Sequence, residues 1–167
     1  MVALKLTNIK NFMNTLLRTE CFDHFLLQEA SIHSGATFEI DGRMPRDFYT
    51  SEEAEELGIM GYPCLPFSML RNNCFEMIKG KKTPAAFAFV FLLSPENLAK
   101  TLERMDTNFT VNDVTALFLN IRYQSGILSL TTGVSYKTFV LDKSLEKEWD
   151  TMVQKFLAQH EIDFEEM

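Results

Sequence analysis

The densest set of side chains able to do chemistry lies in "DGRMPRDFY", residues 41–49. Asp41, Arg43 and Arg46 sit close together there. Two guanidinium forks aimed at one point would hold a phosphate or a carboxylate through paired hydrogen bonds. The same letters also describe a turn in which aspartate bonds its own backbone and arginine pairs with it at the surface. Other reactive residues are scattered. Cys21, Cys64 and Cys74 show no CxxC spacing, which predicts buried free thiols in a reducing compartment. His24, His33 and His160 are far apart in sequence and suggest no metal site. The carboxylates of residues 51–56 read as the solvated face of a short helix, not as a general acid/base pair. There is no P-loop, GxGxxG, GxSxG or HExxH motif. No catalytic residue, metal or cofactor is assigned, and the absence of these motifs points away from an enzyme. "YPCLPF", residues 62–67, is either a docking segment or a connector packed on the core.

These residues need a scaffold, and the apolar pattern outlines one. Val2, Leu4 and Leu6 alternate as a short strand, and Ile9, Phe12, Met13, Leu16 and Leu17 follow at helical spacing. Residues 25–32 read as a strand, turned by His33, Ser34 and Gly35 into a return strand carrying Phe38 and Ile40. A third, weak strand is expected at 47–49, an acidic helix at 51–58 and a longer helix from Phe67 to Ile78. "KGKKTP", residues 79–84, is basic and holds a breaker, and reads as a boundary between halves. Beyond it, "AFAFVFLL" is apolar on both faces of a strand, which predicts burial on both sides or a self-association interface through Phe87, Phe89 and Phe91. Ser94, Pro95 and Glu96 start a helix. Strands are expected around Leu117 to Tyr123, around Leu128 and Leu130, with Gly133 as a turn, and at Phe139 and Leu141. A final helix carries Leu145, Trp149, Val153 and Leu157 on one face.

Written as elements, residues 2–80 and 86–159 repeat one order, strand, helix, three strands, helix. The fold class is therefore α+β: one domain, built by duplication, with antiparallel sheet and packed helices. The phrase "HSGATFEIDG" is matched by "QSGILSLTTG". The apolar phase after the turn slips by one residue, which a hairpin loop one residue shorter in the second half would explain. Residues 160–167 make a solvated acidic tail.

The unit resembles the halves of a sliding DNA clamp domain. The likeness rests on "LKLTNIKNFMNTLL" leading to "EASIHSGATFEIDGR", and on "FLLSPENLAKTLERM" leading to "LNIRYQSGILSLTTGVS". It implies that Lys10, Asn14 and Arg18 on the first helix, with Lys100 and Arg104 on its counterpart, face DNA. Counterion replacement along phosphates needs such charges on one face, whereas Glu96 and Glu103 could instead pair with them locally. The whole chain is also similar to a small family of uncharacterised proteins from Gram-positive anaerobes, which implies no established function.

Composition frames these expectations. A net charge of −7 argues against a surface wholly given to nucleic acid, and leaves room for a local basic face. The longest apolar run is too short to span a bilayer, and the N-terminus lacks a signal-peptide pattern, so a cytoplasmic protein without membrane contact is expected. The functional expectation is a non-enzymatic scaffold or interaction protein, clamp-like in architecture, with DNA as the candidate partner. The alternative is a ligand binder or enzyme working through Asp41, Arg43 and Arg46.

Overall fold

A phenylalanine at every second position builds the centre of the molecule. The computed structural model describes all residues from Met1 to Met167. In it, strand β5 (Ala86–Leu93) turns Phe87, Phe89 and Phe91 into the core with 0–2% exposure. The Phe89 and Phe91 rings stack with centroids 5.8 Å apart, and Phe67 meets Phe91 edge-on at 4.9 Å.

Around this strand the chain assembles a single antiparallel sheet of eight strands. In chain order the other elements are β1 (Ala3–Leu6), α1 (Ile9–Arg18), β2 (Phe25–His33), β3 (Thr37–Asp41), α2 (Ser51–Leu57), β4 (Leu65–Pro66), α3 (Phe67–Ile78), α4 (Pro95–Arg104), β6 (Val114–Gln124), β7 (Ile127–Tyr136), α5 (Ser144–Gln159) and β8 (Phe164–Glu166). Across the sheet the order is β3-β2-β5-β6-β7-β1-β8, with β4 continuing the outer edge of β2 beyond β3. The fold is mixed α+β.

The helices form where amphipathic stripes meet good caps. Asn8 accepts the Asn11 backbone N–H at the start of α1, and Ser94 accepts that of Asn97 at the start of α4, where Pro95 supplies the fixed first turn. The buried residues of α1, α3, α4 and α5 join one cluster with the inward-facing residues of the sheet. Trp149 of α5 donates its indole N–H to the Phe118 carbonyl at 3.0 Å. None of α1, α3, α4 and α5 buries its apolar stripe on the opposite face of the sheet. There, register places Ser31, Ala88, Arg122, Ser129 and Lys5 in one row across five strands. Only one end of this face is covered, where Tyr62 and Cys64 pack on Leu26, Leu92 and Ala116.

Several expectations need correction. Phe87, Phe89 and Phe91 offer no surface for self-association, because their side chains are core and β5 has a neighbour on each edge. Residues 47–49 lie in a turn, not a strand, and the short strand of that region is β4. Gly133 lies inside β7 opposite Phe118 and turns nothing. Phe139 and Leu141 lie in no strand and are exposed. The acidic tail is not free: β8 pairs with β1, and Ile162 is buried, although Glu161, Asp163, Glu165 and Glu166 keep their carboxylates in water.

The two hairpins differ as the apolar phase requires: His33 pairs with Thr37 across a three-residue loop, and Gln124 with Ile127 across a two-residue loop. That shorter loop places Ser125 and Gly126 both at positive φ, 53° and 78°, as a two-residue hairpin turn demands. The first strands of the two halves take different places. β5 lies between β2 and β6, whereas β1 lies near the far edge beside β7. The halves on either side of residues 79–84 share one sheet, with β2 and β5 paired directly across the connector.

Gly42 shows how tightly the sheet edge is folded. A register shift between Leu27 and Glu29 bulges β2, and Gly42 donates its N–H to the Gln28 carbonyl at 2.9 Å. A Cβ on Gly42 would stand 1.9 Å from the Leu27 carbonyl oxygen, which is backbone and cannot swing away. Gly42→Ala is expected to destabilise the protein by about 2 kcal/mol or more, through forced backbone displacement. Gly35→Ala, with nothing within 4 Å of the added carbon, is expected to leave the urea midpoint nearly unchanged. Equal midpoints for the two variants would contradict this account of the bulge.

Candidate functional site

The arginine cluster expected from "DGRMPRDFY" does not converge. Register puts Asp41 of β3 beside Glu29 of β2. Arg43 then places one guanidinium nitrogen 3.2 Å from Asp41 and another 3.7 Å from Glu29. Its backbone N–H also goes to Asp41, at 3.1 Å. Arg46 stays exposed and joins none of these pairs. The shallow groove beside them is lined by Glu29, Glu39 and Asp41 against Arg43 alone. Three carboxylates facing one guanidinium make a poor seat for an anion.

The basic helix positions separate as well. Lys10, Asn14 and Arg18 are exposed on α1, and Lys100 and Arg104 on α4, but α1 packs on α3 and α4 on β5. The Arg18 guanidinium carbon lies 5.6 Å from the Phe75 ring centre, so this charge rests on α3. Glu96 does not pair with Lys100; it accepts the Tyr62 hydroxyl at 2.7 Å. That hydrogen bond holds the Glu96 carboxyl below its ordinary value and raises the Tyr62 phenol above its own.

Lys10 instead meets the basic connector. The first turn of α1, the end of α3 and residues 79–84 close around a cleft of about 410 Å³. Lys10, Lys79 and Lys82 line it together with Met13, Phe87 and Tyr123. The strands fix the aromatic part. Phe87 of β5 pairs with Tyr123 of β6, and their rings stack at 5.1 Å with 18° between planes. Backbone geometry fixes the basic part. Gly80 takes φ 149°, where a side chain is strained, and Ala85 donates to the His33 carbonyl at 2.8 Å to end the connector on β2. Lys79 pairs with Glu76 at 2.6 Å, whereas Lys10, Lys81 and Lys82 join none of the molecule's ion pairs. Free positive charge beside a partly exposed aromatic ring suits a phosphate-bearing, base-bearing chain.

A larger cleft, about 630 Å³, opens at the other end of α1. Its floor is Phe25, Leu93 and Phe156, and its rim includes Glu20, Cys21, His24 and His160. The fold thus brings together two histidines and a cysteine that look unrelated in the sequence. No hydrogen bond joins the Cys21 thiol to either imidazole, and the thiol is pushed up to about 11, by burial first and by the Asp23 charge second. Asp23 is in turn held by Arg71, whose Nε and Nη2 donate at 2.9 and 3.3 Å. Burial likewise raises Cys64, and lifts Cys74 to about 12. All three thiols are free, and no three His, Cys, Asp or Glu side chains converge as metal ligands.

The chain belongs to a family of unknown function (DUF5721), whose model matches residues 15–165. No curated protein and no solved structure matches it.

The high Cys21 pKa is open to direct test. Cys64 and Cys74 are buried, 3% and 0% exposed, so Cys21 is the thiol a small alkylating agent reaches. Its iodoacetamide rate, followed by peptide mass spectrometry, is expected to climb about tenfold per pH unit and to bend only near the raised pKa. A plateau by about pH 9 would show an ordinary or activated thiolate instead.

Proposed function

We propose that this protein is a non-enzymatic interaction protein that grips a flexible nucleic-acid strand in the basic cleft where the unpaired Lys10 and Lys82 stand beside Tyr123. The observation that carries the reading is the local inversion of charge. On a chain of net charge −7, lysines from α1 and from the 79–84 connector meet beside one aromatic pair. A single strand is favoured over a duplex. The remaining candidate cations, Lys100 and Arg104, sit on a helix that packs elsewhere, and Arg18 is engaged with Phe75. A cleft of about 410 Å³ with an aromatic wall takes one unstacked base and the phosphates on either side of it.

The clamp-like reading enters as ancestry, not as a ring. The two strand–helix–hairpin runs, β1-α1-β2-β3 and β5-α4-β6-β7, keep the same order, and on this proposal they descend from one unit whose copies have since taken different places in a shared sheet. A scaffold role fits the uncovered sheet face, and three unpaired thiols fit a cytoplasmic setting. No helix is long and apolar enough to cross a membrane. The alternative site at Asp41, Arg43 and Arg46 has less support, since its one ordered guanidinium is already committed to Asp41 and Glu29.

Fluorescence anisotropy with a labelled oligothymidine tests the proposal. Binding is expected at low salt and should weaken steeply as salt rises. In Lys10→Ala/Lys82→Ala the slope of log affinity against log salt should fall by about 1.4, the share of two phosphate contacts on a single strand. Lys100→Ala/Arg104→Ala should leave affinity and slope close to those of the unmodified protein. No binding at low salt, or equal losses in both variants, would overturn the assignment of this cleft.

A further inference from the structure

The segment between β7 and α5 pairs with no strand. Residues 138–141 make no backbone hydrogen bond, and Phe139 and Leu141 stand 87% and 81% exposed. Its lower end is fixed where Lys137 donates to the Asp113 carbonyl at 2.9 Å, and its upper end where Asp142 accepts the Ser144 N–H at 2.8 Å. A stretch tethered at both ends, with its amides free and two large apolar side chains in water, is suited to addition onto another surface. Lys137 and Lys143 flank it.

The same molecule carries a seat of matching chemistry. The large cleft at the far end of α1 has an apolar floor, Phe25, Leu93 and Phe156, of a size that takes an aromatic and an aliphatic anchor. Its rim has the Glu20 carboxylate and the C-caps of two helices, Thr19 of α1 and His160 of α5. Helix C-termini and a carboxylate favour cations, and the segment brings Lys137, which joins none of the molecule's ion pairs, whereas Lys143 on its other side is held by Glu146 at 3.2 Å. The segment enters α5 at its first turn, while the cleft is built on its last. Sixteen residues of helix separate the two by about 24 Å, so a chain cannot fill its own cleft.

We infer that this protein self-associates by seating Phe139 and Leu141 of one copy in the Phe25–Leu93–Phe156 cleft of a second copy. Two copies that exchange segments reciprocally close a two-fold dimer, whereas one-way exchange would chain the copies head to tail. This contact is independent of the basic cleft, which lies at the opposite end of α1.

Sedimentation velocity over a wide concentration range reads the association. The unmodified protein is expected to pass from monomer to dimer, and Phe139→Ala/Leu141→Ala to raise the dissociation constant on the order of tenfold or more with an unchanged circular dichroism spectrum. A second arm fixes the partner surface. Thr138→Cys and Thr19→Cys proteins, each also carrying Cys21→Ser, are mixed under mild oxidation. They should form a disulfide-linked heterodimer more readily than either forms with itself. A protein monomeric at every concentration, an alanine variant that associates as well as the original, or dimers without the mixed cross-link would each overturn the inference.

Discussion

The constraint on which the rest of the structure depends is that the sheet buries one face along its whole width and the other only at the end under Tyr62 and Cys64. Phe87, Phe89 and Phe91 point to the helices, together with Ala30 and Ile32 of β2, Leu119 and Ile121 of β6, and Leu128 and Leu130 of β7. Each lies in register with its neighbours across the strands, so a one-residue slip in any pairing would turn a whole row of apolar side chains into water. That penalty holds the register. The register in turn decides which polar residues share the outer face, and which aromatic residues meet at the sheet's ends. The bulge in β2 serves the same constraint. It absorbs one extra residue, so that Leu27 and Ala30 both face inward, and the tight crossing of Gly42 follows from it.

From that register come the two clefts. At one end, Tyr123 must lie over Phe87 because β5 and β6 pair there, and the connector leaving α3 must pass them to enter β5. Its lysines gather against Lys10 because both segments end on the same core. At the other end, the last turns of α1 and α5 come together over Phe25 and Leu93, where the rims of three elements leave an apolar floor open. Neither cleft sits on the broad uncovered sheet face. On that face the half-buried Ser31, Ala88 and Ser129 share one row with the exposed charges of Lys5, Glu39, Arg122 and Glu165.

Much of the helix and strand order is legible in the sequence, because a 3.6-residue stripe with a capping residue and a two-residue alternation are both local signals. The helix carrying Leu98 and Leu102 and the one carrying Trp149 and Val153 are of this kind. What failed was context. "TFVL" alternates like a strand, but nothing in its letters says whether a neighbour exists, and none does. "DFEEM" reads as a polar tail, yet β1 offers an open edge and Ile162 an anchor, so its backbone pairs. The strand at Phe87 has two apolar faces, and only the three-dimensional order of strands distinguishes a central position from an interface. The candidate site was the least legible part. The lysines of "KGKKTP" read as punctuation between halves, while their meaning lies in Lys10 and Tyr123, far away in the chain. The arginines of "DGRMPRDFY" looked like a site, and Glu29, brought beside them by β-pairing, cancels one of them.

The central claim is that the basic, aromatic cleft is where this protein meets its partner. Amide chemical-shift mapping by NMR, titrating unlabelled oligothymidine into the isotope-labelled protein, addresses it most directly. The account predicts perturbations grouped at Lys10, at Lys79 to Thr83 and at Tyr123, with the outer sheet residues Ser31, Ala88 and Ser129 unmoved. Perturbations centred on that sheet face, or spread evenly over the surface, would contradict it.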